Sequence, residues 1–123
     1  MAITTDNETI LRNVLDEWKA AVDSHDPQRV AAIFTSDAIF QGLHPYTTGP
    51  KGVAEYYAAQ PMGMTAAYTL RETRALSDGS VLGYLSVDFG FTDRATLTVY
   101  LSVIIRREPD GWRIAHYQVS RLD

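Results

Sequence analysis

Two kinds of hydrophobic periodicity divide the chain. Leu11, Val14, Leu15, Trp18, Ala21 and Val22 recur at three- and four-residue steps, which predicts an amphipathic helix running to about Ser24. Ahead of it, Thr5-x-x-Glu8 fits a capping box. Asp26-Pro27 reads as an N-cap followed by proline at the first helical position, and Val30, Ile33 and Phe34 give a short second helix its apolar face. Ala38 to Phe40 reads as a short strand, residues 42–49 as a loop holding His44, Pro45 and Tyr46, and Pro50 as the opening of a third helix carrying Val53, Tyr56 and Tyr57. Beyond Thr65 the period falls to two. Residues 65–76, 80–92, 95–107 and 112–121 read as four strands, separated by Ser77-Asp78-Gly79, Asp93-Arg94 and Pro109-Asp110-Gly111. Connections this short allow only antiparallel pairing. Helices first and strands after them indicate an α+β fold, with the helices folded over a curved antiparallel sheet to enclose a pocket.

The strand faces carry more information. In the second long strand, Val81, Leu85, Val87, Phe89 and Phe91 share one face, and Leu82, Tyr84, Ser86, Asp88 and Gly90 the other. In the third, Leu97, Val99, Leu101, Val103 and Ile105 oppose Thr96, Thr98, Tyr100, Ser102 and Ile104. A sheet with a solvated back alternates cleanly between apolar and polar. Here the second strand is apolar on one face and mixed on the other, so one face meets the helices and the other predicts a second subunit, a homodimer. By simple alternation Trp112, Ile114, His116 and Gln118 share one face of the last strand.

Composition narrows the function. The 123 residues are the size of one domain, read as spanning 1–123. There is no cysteine, which excludes disulfide and thiolate chemistry and fits a reducing cytoplasm. The net charge is −4 and the basic residues are scattered apart from Arg106-Arg107, which excludes the clustered positive footprint of a nucleic-acid binder. No apolar run is long enough to cross a membrane, and the polar, acidic start MAITTDNE has no signal-peptide pattern. Seven tyrosines and two tryptophans suit an amphipathic pocket, and equally an ordinary core.

Candidate chemistry is sparse. There is no phosphate-binding loop, dinucleotide fingerprint, nucleophile elbow or zinc spacing, so neither cofactor nor metal is expected. His25 sits at a helix end beside Asp26 and reads as solvated; His44 lies in a loop between leucine and proline, where packing on a ring is the commoner outcome. His116 is better placed if its strand face looks inward. Asp88 is the most suggestive carboxylate, lying mid-strand between Val87 and Phe89 where aspartate is disfavoured. Facing an apolar cavity it would have a raised pKa and could act as a general acid or base; otherwise it pairs with Arg71 or Arg74, or faces solvent. Asp37 follows the second helix and serves the turn. Trp18, Tyr56, Tyr57 and Tyr84 are pocket candidates, though aromatics at such spacings are usually core.

The order of these features resembles the nuclear-transport-factor-2-like superfamily, which includes ketosteroid isomerase and the SnoaL-like polyketide cyclases. The resemblance rests on a helix with a mid-helix aromatic, a short Asp-Pro helix, Phe34-Thr-Ser-Asp-Ala38, a third helix ending Glu55-Tyr-Tyr57, and four strands ending Gly111-Trp-Arg-Ile-Ala-His-Tyr-Gln118. It implies a cone of curved sheet with three N-terminal helices, usually dimeric. More narrowly, Phe40-Gln-Gly-Leu-His-Pro-Tyr46, Gly52-Val-Ala-Glu-Tyr-Tyr57, the strand from Val81 to Phe89 and the segment from Trp112 to Leu122 resemble the SgcJ-type proteins of bacterial enediyne antibiotic clusters. That resemblance implies a bacterial, cytoplasmic, cofactor-free accessory protein of an enediyne polyketide synthase, one that binds a polyene or polyketide intermediate in an aromatic-lined pocket and assists its cyclisation or modification. The alternatives are a SnoaL-like cyclase or isomerase and a docking module for the synthase. Placed on the isomerase pattern, the aspartate base falls on Gly42, the oxyanion tyrosine on Trp18 and the protonated aspartic acid near Val103; only Tyr57 is matched. The same register turns Tyr84, Ser86, Asp88, His116 and Gln118 inward and puts Val81, Val87 and Phe89 on the outer, dimer-forming face. It makes Asp88 and His116 the acid–base candidates, with Trp18, Phe40, His44, Tyr57, Tyr84 and Gln118 as ligand contacts.

Overall fold

The computed structural model describes residues 6–122. Helix α1 spans Asn7–Asp23, capped by Asp6, whose carboxylate accepts the Thr9 amide at 2.8 Å. The expected capping residue Thr5 lies outside the described residues. Leu11, Val14, Leu15, Trp18, Ala21 and Val22 are the buried stripe, as the periodicity requires. The helix stops at Ser24, and His25 adopts φ 49°, the left-handed turn that commonly ends helices. Asp26 then caps α2, Pro27–Ala31. Ile33 and Phe34 do not extend the apolar face of this helix: α2 is already over, and Phe34 begins strand β1, Phe34–Gln41. Strand β2, Thr47–Thr48, lies within the expected loop, and α3 follows over Gly49–Ala58.

The remaining strands are β3, Thr65–Ser77; β4, Ser80–Gly90; β5, Leu97–Glu108; and β6, Gly111–Ser120. They form an antiparallel meander. Strand β1 joins it beside β6 in parallel, giving the sheet order β2-β1-β6-β5-β4-β3. The exposed stretch of edge strand β3 carries Arg71, Glu72 and Arg74, charges that discourage pairing with another sheet. Polar contacts pin α1 to the start of β3: Lys19 donates to the Ala66 carbonyl, and Asp23 accepts the Ala66 amide at 2.8 Å. Among the described residues no helix is long and apolar enough to cross a membrane.

The sheet faces settle in the opposite sense to the expected register. Val81, Leu85 and Val87 are buried against the helices, and Phe89 packs on the same core, while Tyr84 and Asp88 are exposed on the outer face. The physical reason is the apolar area at stake: exposing the Val81, Leu85, Val87 face would forfeit about 1.5–3 kcal/mol per side chain, far more than burial of Tyr84 could return. On β6 the alternation breaks. Ile105 pairs with Ile114 but Ile104 with His116, so Ala115 is an extra residue, a β-bulge. Trp112 and Ile114 lie on the core side of the bulge. Beyond it, Tyr117 and Val119 face the core, and His116 and Gln118 face outward.

Candidate functional site

The interior lies between α1, α3, β1 and the inner face of β4–β6. Trp18 is brought there by the buried stripe of α1, Tyr57 by the last turn of α3, Phe40 by β1 and Tyr117 by the bulged end of β6; all four are essentially inaccessible to solvent. Their polar atoms form a chain. The Trp18 indole Nε1 donates to the Tyr57 hydroxyl at 3.2 Å, and the Tyr57 hydroxyl donates to that of Tyr117 at 3.3 Å. Phe40 stacks on Tyr117, with ring centres 4.5 Å apart, and meets Tyr56 edge-on at 4.9 Å. Phe89 closes the far side, edge-on to Trp18 at 6.2 Å. Burial pushes the phenols of Tyr57 and Tyr117 well above the ordinary tyrosine value, and burial raises Tyr56 too. At neutral pH these groups are hydrogen-bond donors and acceptors, not bases.

A cavity of about 40 Å³ opens beside the chain, lined by Tyr56, Tyr57, Met64, Phe89, Leu97 and Val119 among others, with Leu43 and Phe91 at its mouth. Among the described residues, no carboxylate or imidazole lines it. Tyr56 reaches this position because residue 42 is glycine: a Cβ on Gly42 would stand 2.6 Å from the Tyr56 ring. The Tyr56 hydroxyl accepts the Leu43 amide at 3.4 Å, closing the loop onto α3. Thus the position where the isomerase pattern would place a carboxylate is occupied by a neighbouring phenol.

Of the expected contacts, Trp18, Phe40 and Tyr57 are brought together in the interior. His44 stands exposed at the rim, its ring 5.8 Å from that of Tyr56. The other four lie on the outer face of the sheet. Asp88 accepts a hydrogen bond from Thr98 on the neighbouring strand, not from Arg71 or Arg74. His116 and Gln118 project beside Ile104 and Ser102, and Tyr84 stacks on Tyr100 with ring centres 5.9 Å apart. Asp37 does not serve the turn: it lies within β1, where it accepts from Thr35 at 2.9 Å and, across to β5, from Arg106 at 2.9 Å. Tyr117, the end of the interior chain, is the residue that simple alternation hides, because the bulge at Ala115 puts it on the core side.

A family profile described as SnoaL-like domain matches residues 11–123. Among solved structures, a domain of unknown function with a cystatin-like fold from Nostoc punctiforme superposes with a TM-score of 0.83 at 16% identity, over 98% of this chain and 80% of that one. A nuclear-transport-factor-2-like protein of unknown function from Shewanella oneidensis gives 0.80 at 15% identity, over 93% of this chain and 98% of that one. A ketosteroid isomerase-like protein from Erwinia carotovora atroseptica gives 0.76 at 17% identity, over 98% and 99%. Identities this low show a shared fold and no more. No curated protein matches the chain in sequence.

Proposed function

The chain belongs to the SnoaL-like domain family, and from that premise we propose that it is a cofactor-free ligand-binding protein whose interior takes an apolar, conjugated small molecule carrying an oxygen acceptor. One observation carries this reading: the Trp18–Tyr57–Tyr117 chain contains three donor protons but makes only two internal bonds. Hydroxyl protons rotate, so the spare proton resides on either Tyr117, sealed in the core, or Tyr57, which lines the cavity. A ligand oxygen at the cavity would draw the chain into its second arrangement, in which Tyr117 donates to Tyr57 and Tyr57 donates to the ligand. Aromatic walls favour a flat conjugated body and exclude water from it.

The finer proposal is the one implied by the SgcJ-type resemblance: the ligand is a polyene or polyketide intermediate of enediyne biosynthesis, handed over by a polyketide synthase in a bacterial cytoplasm. A cavity of about 40 Å³ has room for one or two waters. A polyene therefore enters by displacing side chains at the mouth, and Leu43, Tyr46 and Met62 are exposed apolar groups in or near the flanking loops. A developing negative charge on the ligand oxygen would be stabilised by the same phenol, but among the described residues no carboxylate or imidazole base lines the cavity, so the function proposed is binding and protection, not acid–base turnover by Asp88 and His116. The outer face, where Ile39 and Tyr84 are 44% and 38% exposed among Leu82, Tyr100 and Ile104, suits a second copy of the chain.

The test is ligand capture. The chain is co-expressed with an enediyne polyketide synthase and its thioesterase, purified gently, and examined by native mass spectrometry and absorption. A bound polyene, lost in Tyr57→Phe but kept in His116→Ala, is the expected result. An empty protein with an unchanged product profile would overturn it.

A further inference from the structure

A second depression lies on another flank of α1. It is a groove of about 450 Å³ between α1, the end of α2 and the β5–β6 turn, within the size range of small-molecule sites. Its floor is apolar, made by Ile10, Val14, Ile33 and the indole of Trp112. Its rim is charged, and the charges are unequally engaged. Arg113 is bonded through all three of its nitrogens: its terminal nitrogens donate to Asp110 at 2.7 and 2.9 Å, and its Nε donates to the Ala32 carbonyl at 3.1 Å. Arg29 is not. Only its Nε is bonded, to Glu17 at 2.8 Å, and among the described residues its two terminal nitrogens have no hydrogen-bond partner. The nearby Asp26 carboxylate accepts from the backbone of its own helix. The Asn13 carboxamide on the α1 side of the groove also has no partner among the described residues.

We propose that this groove binds an aromatic carboxylate, with a flat ring system laid over the Trp112 indole and its carboxylate received end-on by the terminal nitrogens of Arg29. Glu17 and Asp110 also line the groove, but each is neutralised by an arginine, so the lining carries no net charge against an anion. The planar guanidinium matches a carboxylate in a paired geometry that lysine would not supply. Trp112 is held for stacking by its own neighbours: Arg107 lies 5.9 Å over the indole, and the ring packs on the core. The site is separate from the interior cavity and does not depend on the function proposed for it.

The chain has two tryptophans, so two indole N–H signals report by NMR on two different places. Trp112→Phe assigns them. Titration with 2-naphthoate should move the Trp112 signal saturably and leave Trp18 in place. The neutral isostere 2-naphthalenemethanol should bind at least about ten-fold more weakly, the worth of a charge-assisted hydrogen-bond pair. Arg29→Gln should bring naphthoate down to the alcohol's level. Glu17→Gln breaks the same ion pair but keeps the guanidinium, and should retain naphthoate binding. Equal affinity for acid and alcohol, an equal loss in both variants, a shift confined to Trp18, or no saturable shift would each overturn the proposal.

Discussion

Replacing Tyr57 by phenylalanine deletes one oxygen from the interior and little else. That oxygen accepts the Trp18 indole proton at 3.2 Å and donates to Tyr117 at 3.3 Å. An indole N–H can only donate, and Trp18 is 0% exposed, so it loses its partner with no water to replace it. Leaving a buried donor unsatisfied costs about 1–3 kcal/mol. Tyr117→Phe cuts the chain at its other end. Trp18 keeps its acceptor and the Tyr57 hydroxyl can turn to the cavity, so the cost is that of an ordinary hydrogen bond, about 0.5–1.5 kcal/mol. The expected order is therefore about 2 kcal/mol for Tyr57→Phe and about 1 kcal/mol for Tyr117→Phe. In a domain of this length 2 kcal/mol corresponds to a fall in Tm of about 8 °C. The double variant has no orphaned Tyr117 hydroxyl, so its cost should be less than the sum of the two. Equilibrium urea unfolding followed by circular dichroism measures all three, provided the m-values agree. A Tyr57→Phe variant no less stable than Tyr117→Phe, or strictly additive costs, would refute the hydrogen-bonded chain.

Other outcomes follow from the same geometry. The raised phenols of Tyr57 and Tyr117, with Tyr68 pushed up to about 12, bind protons more tightly folded than unfolded; stability is complete below the unfolded value near 10 and declines as pH rises from there through the raised folded values, so absorbance at 295 nm should show the buried Tyr57 and Tyr117 ionising together with unfolding. Gly42→Ala should cost about 1–3 kcal/mol by overpacking, or swing the Tyr56 ring outward and speed ligand dissociation, which stopped-flow fluorescence would detect; wild-type behaviour on both counts would contradict the close approach at 2.6 Å. Asp88→Asn and His116→Ala, both on the outer face, should leave interior polyene affinity within about two-fold, surface changes of this kind being near neutral. Tyr100→Arg should convert the proposed dimer to monomer in sedimentation velocity while the circular dichroism spectrum stays native; a wild-type monomer at micromolar concentration would remove the dimer altogether.

Much of the architecture is legible in the sequence. The buried stripe of α1, the Asp26-Pro27 cap, the start of α3 at its Gly49-Pro50 turn and the four long strands lie where local pattern places them, within a residue or two at most ends. These features depend on neighbours in sequence: helical spacing, a side chain reaching its own amide, a turn peptide. Trp18, Phe40 and Tyr57 were legible as interior groups for a similar reason, since each lies on the apolar side of its own element. The parallel seating of β1 beside β6 was not, because it joins Phe40 to Tyr117 across most of the chain and no local pattern specifies that pairing.

The assignment of sides was decided by the tertiary structure. Sequence alone determined that Val81, Leu85 and Val87 share one face and Tyr84 and Asp88 the other. Which face met the helices was settled by where the larger apolar area could be buried. For β6 even the sharing of a face was not determined. Ala115 is an ordinary residue in an ordinary strand sequence, yet its bulge reverses the parity that follows, moving His116 and Gln118 outward and Tyr117 into the core. A bulge arises from how a strand must bend against its partners, so its position is a property of the assembled, curved sheet and not of the strand's own residues.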